Sequence, residues 1–68
     1  MLIRECTFEG YEFQYVIEFR QCNVELSIFI INRDGKSDVS DGATFPLDIT
    51  LFQFENNLRD MMRALIAV

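Results

Sequence analysis

The side chains best able to carry out chemistry in this chain are carboxylates, because histidine is absent and cysteine occurs only twice. Without histidine the chain lacks the commonest general base and metal ligand, and Ser-His and Cys-His nucleophile pairs are excluded. Two distant cysteines cannot form a structural zinc site within one chain. Glu18 and Glu25 are expected to face each other across a hairpin. A catalytic pair also needs a cleft of at least about 300 Å³, which a single helix on a small sheet rarely makes, so we expect no enzyme.

The segment 33–47 contains two patterns that occur in ligand-binding loops. Gly35-Lys36-Ser37 matches the end of a phosphate-binding loop, but the required earlier glycine is replaced by Ile30, and no helix begins at Ser37. Asp34, Asp38 and Asp41 are spaced by four and three residues. The ligands of an EF-hand loop instead occupy alternate positions. We interpret the segment as a turn with a solvated loop, and we predict no cofactor and no metal.

The elements that position these side chains are predicted from hydrophobic alternation. From Tyr11 to Phe19 every odd position is apolar, and from Val24 to Ile30 every even position is apolar, which is typical of strands with one buried face. A hairpin around Gln21-Cys22 aligns the two runs in one register. The pairs are then Phe19 with Val24, Ile17 with Leu26, Tyr15 with Ile28, and Phe13 with Ile30.

The remaining elements follow from turn and capping signals. Strands are predicted over 2–8, 11–20 and 24–32, with the first turn at Glu9-Gly10 and another at Asp34-Gly35. Residues 33–47 are a loop or a short edge strand, since Pro46 is incompatible with the centre of a sheet. Thr50 and Gln53 form a capping box that begins a helix over 50–67, and Asp48 is the other candidate N-cap. Its predicted apolar stripe is Leu51, Phe54, Leu58, Met61, Leu65 and Val68.

These elements define one α+β domain over residues 1–68: a small antiparallel sheet, a meander of three strands with or without a short fourth, covered on one face by a C-terminal helix. No apolar run is long enough to span a membrane, and the first residues resemble neither a signal nor a transit peptide. The register separates Cys6 from Cys22 by about 30 Å. We therefore expect two free thiols and a cytoplasmic location, which is the host cytoplasm if the protein is encoded by a virus.

The charge of the chain restricts its partners. The formal net charge is −5, the isoelectric point is about 4.4, and the six lysines and arginines are scattered along the sequence. Direct binding to nucleic acid or to an anionic membrane is disfavoured, because both need clustered basic residues. A basic protein is an electrostatically acceptable partner.

The sheet face opposite the helix is the candidate binding surface. A bare sheet face should be mostly polar, yet Phe29 and Ile31 lie there close to Val16. Either the segment 36–47 covers this apolar patch, or the patch is scattered apolar surface without a role, or it is an interface. Glu5 and Glu9 join the same acidic surface if the first two strands pair. The predicted partner-binding residues are Glu12, Val16, Glu18, Glu25, Phe29 and Ile31.

Two functional hypotheses follow. The first is a non-enzymatic protein-interaction module, an inhibitor or adaptor that binds a larger basic protein. One version of it is a viral or mobile-element inhibitor that mimics nucleic acid in a host nucleic-acid-binding complex. The alternative is a structural homo-oligomer such as a dimer. It would bury either the patch of Val16, Phe29 and Ile31 or a weaker apolar line on the helix. That line consists of Phe52, Met62 and Ile66.

Overall fold

The protein folds into one antiparallel four-stranded sheet with a single helix on one face, as predicted. The computed structural model describes residues 1–31 and 39–68; the predicted Asp34-Gly35 turn, the Gly35-Lys36-Ser37 pattern and Asp38 lie outside them. Within the described ranges, no helix has the length and apolarity needed to cross a membrane. The elements are β1 (Leu2–Phe8), β2 (Tyr11–Phe19), β3 (Asn23–Ile30), β4 (Ser40–Pro46) and α1 (Leu51–Ala67), with strand order β1-β2-β3-β4.

The predicted register of the central hairpin is confirmed. β2 and β3 pair so that Phe19 lies opposite Val24 and Phe13 opposite Ile30, and β1 places Cys6 opposite Phe13. The amide of Arg20 closes the turn by donating to the carbonyl of Asn23 at 2.8 Å. Because paired residues project to the same side of a sheet, one face collects the apolar positions of both strands, and α1 covers that inner face.

The second half of the segment 33–47 is an edge strand. β4 pairs with β3, with Phe45 opposite Val24 and Pro46 as its last residue, where the missing amide of proline is tolerated. Residues 40–46 therefore extend the sheet sideways and do not fold across its outer face. The described part of the segment 36–47 therefore does not cover the exposed apolar patch of Val16, Phe29 and Ile31.

The helix begins with the predicted capping box. The amide of Gln53 donates to Thr50 Oγ1 at 3.1 Å, and the amide of Thr50 donates to Gln53 Oε1 at 3.2 Å. Phe54, one turn further on, packs edge-to-face on Phe45 of β4, with the ring centroids 5.7 Å apart. These contacts place the first turns of α1 over the β4 side of the sheet.

The predicted apolar stripe of the helix is wrong at three positions. Met62 is buried in place of Met61, whereas Leu51 and Val68 are largely exposed. Spacings of three and four residues after Leu58 are both compatible with a helix; the sheet selects Met62, whose Sδ lies 3.9 Å from the Sγ of Cys6 on β1. The buried core consists of Phe13, Val24, Leu26, Ile28, Ile30, Leu58, Met62 and Leu65.

Both cysteines are free thiols, as predicted. Cys6 is half-buried beneath α1, and desolvation raises the pKa of its thiol. Cys22 is exposed in the turn between β2 and β3. The two thiols therefore differ in accessibility, and the fold holds them at separate levels of the sheet.

Candidate functional site

The outer face of the sheet, which is the side away from α1, carries all six predicted site residues. Strand pairing places Ile3, Val16 and Ser27 side by side, and it places Glu5, Gln14 and Phe29 in the adjacent row. The amide of Ile31 continues the pairing by donating to the carbonyl of Glu12 at 2.9 Å. No described element lies over these rows, so the outer face is open to a partner.

Apolar side chains occupy the centre of the outer face. Phe29 and Ile31 are 37% and 41% exposed, and Val16 is half-buried among its neighbours. Ile3, which is 53% exposed, extends this patch onto β1 and was not among the predicted residues. The predicted turn at Glu9-Gly10 already implied that Ile3 lies opposite Val16, so the signal was present in the sequence.

Glu18 and Glu25 lie directly opposite each other across the β2–β3 hairpin, as predicted. Like charges in that position are destabilising, and a guanidinium relieves the repulsion: Nη2 of Arg20 lies 2.7 Å from Glu18 and 3.2 Å from Glu25. These three side chains together carry one net negative charge. Arg20, which sequence reasoning left out of the site, therefore weakens the acidity at this end of the outer face.

The other end of the outer face is acidic and concave. Glu5 and Glu12 lie on neighbouring strands, and with Thr7 and Ile31 they line a shallow concavity of about 260 Å³. Glu5 forms no ion pair with any described residue. Glu9, in the adjoining turn, is exposed. A cationic side chain approaching the apolar centre would meet carboxylates first at this end.

The two facing carboxylates of the outer face are not enclosed. Glu18 and Glu25 stand on an open sheet surface and share one arginine, which leaves no enclosed space between them for a substrate. Across residues 1–31 and 39–68, no three His, Cys, Asp or Glu side chains are close enough together to hold a metal ion. The outer face combines an apolar patch with glutamates at both of its ends.

The predicted apolar line on the helix does not form a surface. Met62 is buried, and Ile66 is half-buried against the core, because the sheet lies against this side of α1. Phe52 alone of the three is largely exposed. The structure instead brings exposed Phe19, Leu47 and Leu51 around a cavity of about 290 Å³ beside the start of α1. We call these three residues and Phe52 the apolar end of the molecule.

Comparison of the chain with models of protein families, with curated proteins and with solved structures found no significant match.

Proposed function

We propose that this protein is a non-enzymatic binding module that holds a larger basic protein on the outer face of its sheet. The observation that carries the proposal is a sheet face that no described residue covers, on which Ile3, Val16, Phe29 and Ile31 lie between glutamates at its two ends. Desolvated apolar centres supply most of the affinity of an interface. The acidic rim selects a basic partner and speeds its approach.

Size and location are part of the proposal. A face of four short strands matches an interface of ordinary size, about 800 Å² on each partner. We place the protein in the cytoplasm, a location supported by two free thiols that lie far apart in the fold. The module acts as an inhibitor if it blocks the partner's own site, and as an adaptor if it leaves that site open.

The proposal is tested by capturing the partner from the lysate of the source cell with tagged protein, at low and at high salt. The variant Glu12→Lys/Glu18→Lys/Glu25→Lys should lose the partner, because it reverses the charge of the rim. The matched control Asp48→Lys/Glu55→Lys/Asp60→Lys makes the same change in net charge away from the outer face. It should retain the partner. Equal capture by both variants would contradict the proposal.

The apolar centre needs its own variant. Phe29→Ser/Ile31→Ser leaves the net charge unchanged and should weaken capture at both salt concentrations, because it removes the desolvated contact. Circular dichroism of each variant shows whether the fold is retained. Loss of capture with the charge variant alone would indicate steering by charge without a specific interface.

A narrower version of the proposal is that the glutamates replace phosphates in a nucleic-acid-binding complex of a host cell, as a viral or mobile-element inhibitor would do. Duplex DNA or RNA should then release the captured partner, and more of it as the concentration of nucleic acid rises, because the nucleic acid and this protein occupy the same site on the partner. A partner that binds nucleic acid and this protein simultaneously would contradict this version and leave the adaptor.

The alternative function is a structural homo-oligomer, and the apolar end favours it. Phe19, Leu47, Leu51 and Phe52 are each more than half exposed, which is unusual for side chains grouped at one end of a monomer. Sedimentation velocity at tens of micromolar, about the range in which weak dimers form, should then give a dimer that Phe19→Ser/Phe52→Ser dissociates. A monomer would contradict this alternative.

A further inference from the structure

The inner face of the sheet is only partly covered by its helix. Burial falls across the strands: Ile28 on β3 is fully buried, Ile17 on β2 is half-buried, and Leu2 on β1 is 41% exposed. Geometry explains the gradient. Neighbouring strands are about 4.8 Å apart and a helix with its side chains is about 10 Å wide, so one helix cannot cover four strands. Because α1 contacts Phe45 of β4 near its start and Cys6 of β1 further on, the uncovered part is the region beside the first residues of β1.

The uncovered part is a groove of about 570 Å³ between β1 and the first half of α1. Its floor is the inner face of β1 and β2, including Leu2, Tyr15 and Ile17, and its wall is formed by Leu51, Phe54 and Leu58 of the helix. We call it the β1–α1 groove. Thr7 and Phe8 line it beyond the contact between Met62 and Cys6, and its apolar floor and wall lie toward the start of β1 and the start of the helix.

The rim of the β1–α1 groove carries two arginines whose charge is not neutralised. Arg4 donates to the carbonyl of Ile3 at 3.3 Å and Arg59 to Oδ1 of Asn56 at 3.0 Å, and both acceptors are neutral. Neither guanidinium lies within 4.0 Å of a carboxylate in the described ranges. The groove is therefore bordered by positive charge in a chain whose net charge is −5; Glu55 is the single carboxylate among its described lining residues.

We propose that the β1–α1 groove binds an amphipathic α-helix of a partner protein, with its apolar stripe on the groove floor and its glutamates or aspartates facing Arg4 and Arg59. The groove lies beside the first half of α1 and has an apolar floor, and laying an apolar helical face into a groove is a common mode of recognition. Carboxylates on such a helix would complete the ion pairs that the two guanidiniums lack.

The proposed helix site and the outer face lie on opposite sides of the sheet. Both can be occupied at once, so a protein with both sites would join an acidic helix to a basic partner. The site does not depend on the proposed function: Thr7 borders both the groove and the outer concavity, but none of the six predicted partner-binding residues lines the groove.

The probe is a synthetic helical peptide of about 18 residues with leucines along one stripe, glutamates on both flanks and a terminal fluorophore. Its twin carries lysine in place of every glutamate. Fluorescence anisotropy with the full chain should show saturable binding of the glutamate peptide and about tenfold weaker binding of its twin. In amide NMR spectra, the largest shifts should fall on Leu2, Ile17 and Leu51.

Single substitutions assign the site. Arg4→Gln or Arg59→Gln should weaken binding of the glutamate peptide about three- to fivefold, as expected for a partly exposed ion pair. Arg20→Gln makes the same change in net charge on the outer face and should leave binding unchanged. Leu51→Ser removes an exposed apolar side chain and should weaken binding about tenfold. The variant Phe29→Ser/Ile31→Ser, which keeps the net charge, should bind the peptide as wild type does, which separates this site from the outer face.

Three results would overturn the proposal. The first is equal affinity for both peptides, or no saturable binding of the glutamate peptide. The second is a set of shifts centred on Val16 and Phe29, which would place the peptide on the outer face. The third is a groove whose amide signals shift with protein concentration in the absence of peptide, because the occupant would then be a second copy of this chain.

Discussion

Glu9 occupies a conformation that favours a different residue. Its φ is 52° and that of Gly10 is 83°, as in type I′ turns, in which both central residues have positive φ. Asparagine tolerates this region better than glutamate. We expect Glu9→Asn to raise the free energy of unfolding by about 0.5–1 kcal/mol, measured by urea denaturation.

Two matched substitutions separate backbone from charge in that turn. Glu9→Gln removes the same charge without the preference for positive φ and should change stability little. Gly10→Ala should destabilise by about 1 kcal/mol, and because no atom lies within 4 Å of the added Cβ, the loss would come from the backbone alone. Equal stabilisation by asparagine and glutamine would assign the effect to charge.

The two thiols should differ in reactivity. Burial raises the pKa of Cys6, so less of its reactive thiolate is present at a given pH, whereas Cys22 is exposed. In the native protein, iodoacetamide should modify Cys22 before Cys6, as followed by peptide mass spectrometry. The difference should disappear in concentrated urea.

The burial of Cys6 also determines how the stability of the fold depends on pH. Folding disfavours the Cys6 thiolate, so the unfolded chain releases this proton at a lower pH than the folded one does. The contribution of Cys6 to stability is complete below the unfolded pKa and is lost as the pH rises toward the folded value. Alkaline denaturation of Cys6→Ser should therefore be less steep than that of wild type.

At the scale of elements, adjacent methionines on α1 test how the helix packs. Met62 is buried and Met61 is partly exposed. Met62→Ala should lower the free energy of unfolding by about 2–4 kcal/mol and Met61→Ala by about 1 kcal/mol or less. The two variants lose the same atoms at neighbouring positions of one helix. A larger loss at Met61 would mean that α1 presents a different face to the sheet.

The strands were more predictable than the helix face, for a physical reason. Alternation has a period of two, so a slip by one residue would have exposed every apolar side chain of β2 and β3, and only one register remained. The helical stripe tolerates spacings of three or four, and tertiary contact with Cys6 decided between Met61 and Met62. Leu51 is exposed because α1 leaves the β1 side of the sheet uncovered. No local sequence pattern encodes where the helix lies on the sheet.

The candidate site was predictable to a similar extent. Strand parity alone placed Glu12, Val16 and Phe29 on one face. The bridging position of Arg20 between two glutamates and the contribution of Ile3 required the register of the whole sheet. The β1–α1 groove could not be read from the sequence, because it depends on where one helix lies across four strands.

At the scale of the whole molecule, net charge and exposed apolar surface have opposite effects on self-association. The net charge of −5 keeps molecules apart near neutral pH, and it vanishes near the isoelectric point of about 4.4. We expect light scattering to rise most steeply near that pH, driven by the apolar end. Leu51→Ser/Phe52→Ser keeps the charge and should suppress the rise. If both proteins scatter equally, contacts elsewhere cause the association.

The strand order also has a consequence for how quickly the protein forms. Each strand pairs with the strand that precedes it in the chain, and the turns after β1 and β2 are short, so little loop entropy is lost in bringing these partners together. Topologies with such local contacts fold within about milliseconds. During synthesis the first hairpin can close before the third strand emerges from the ribosome. Only the docking of α1 must wait until the other elements are present.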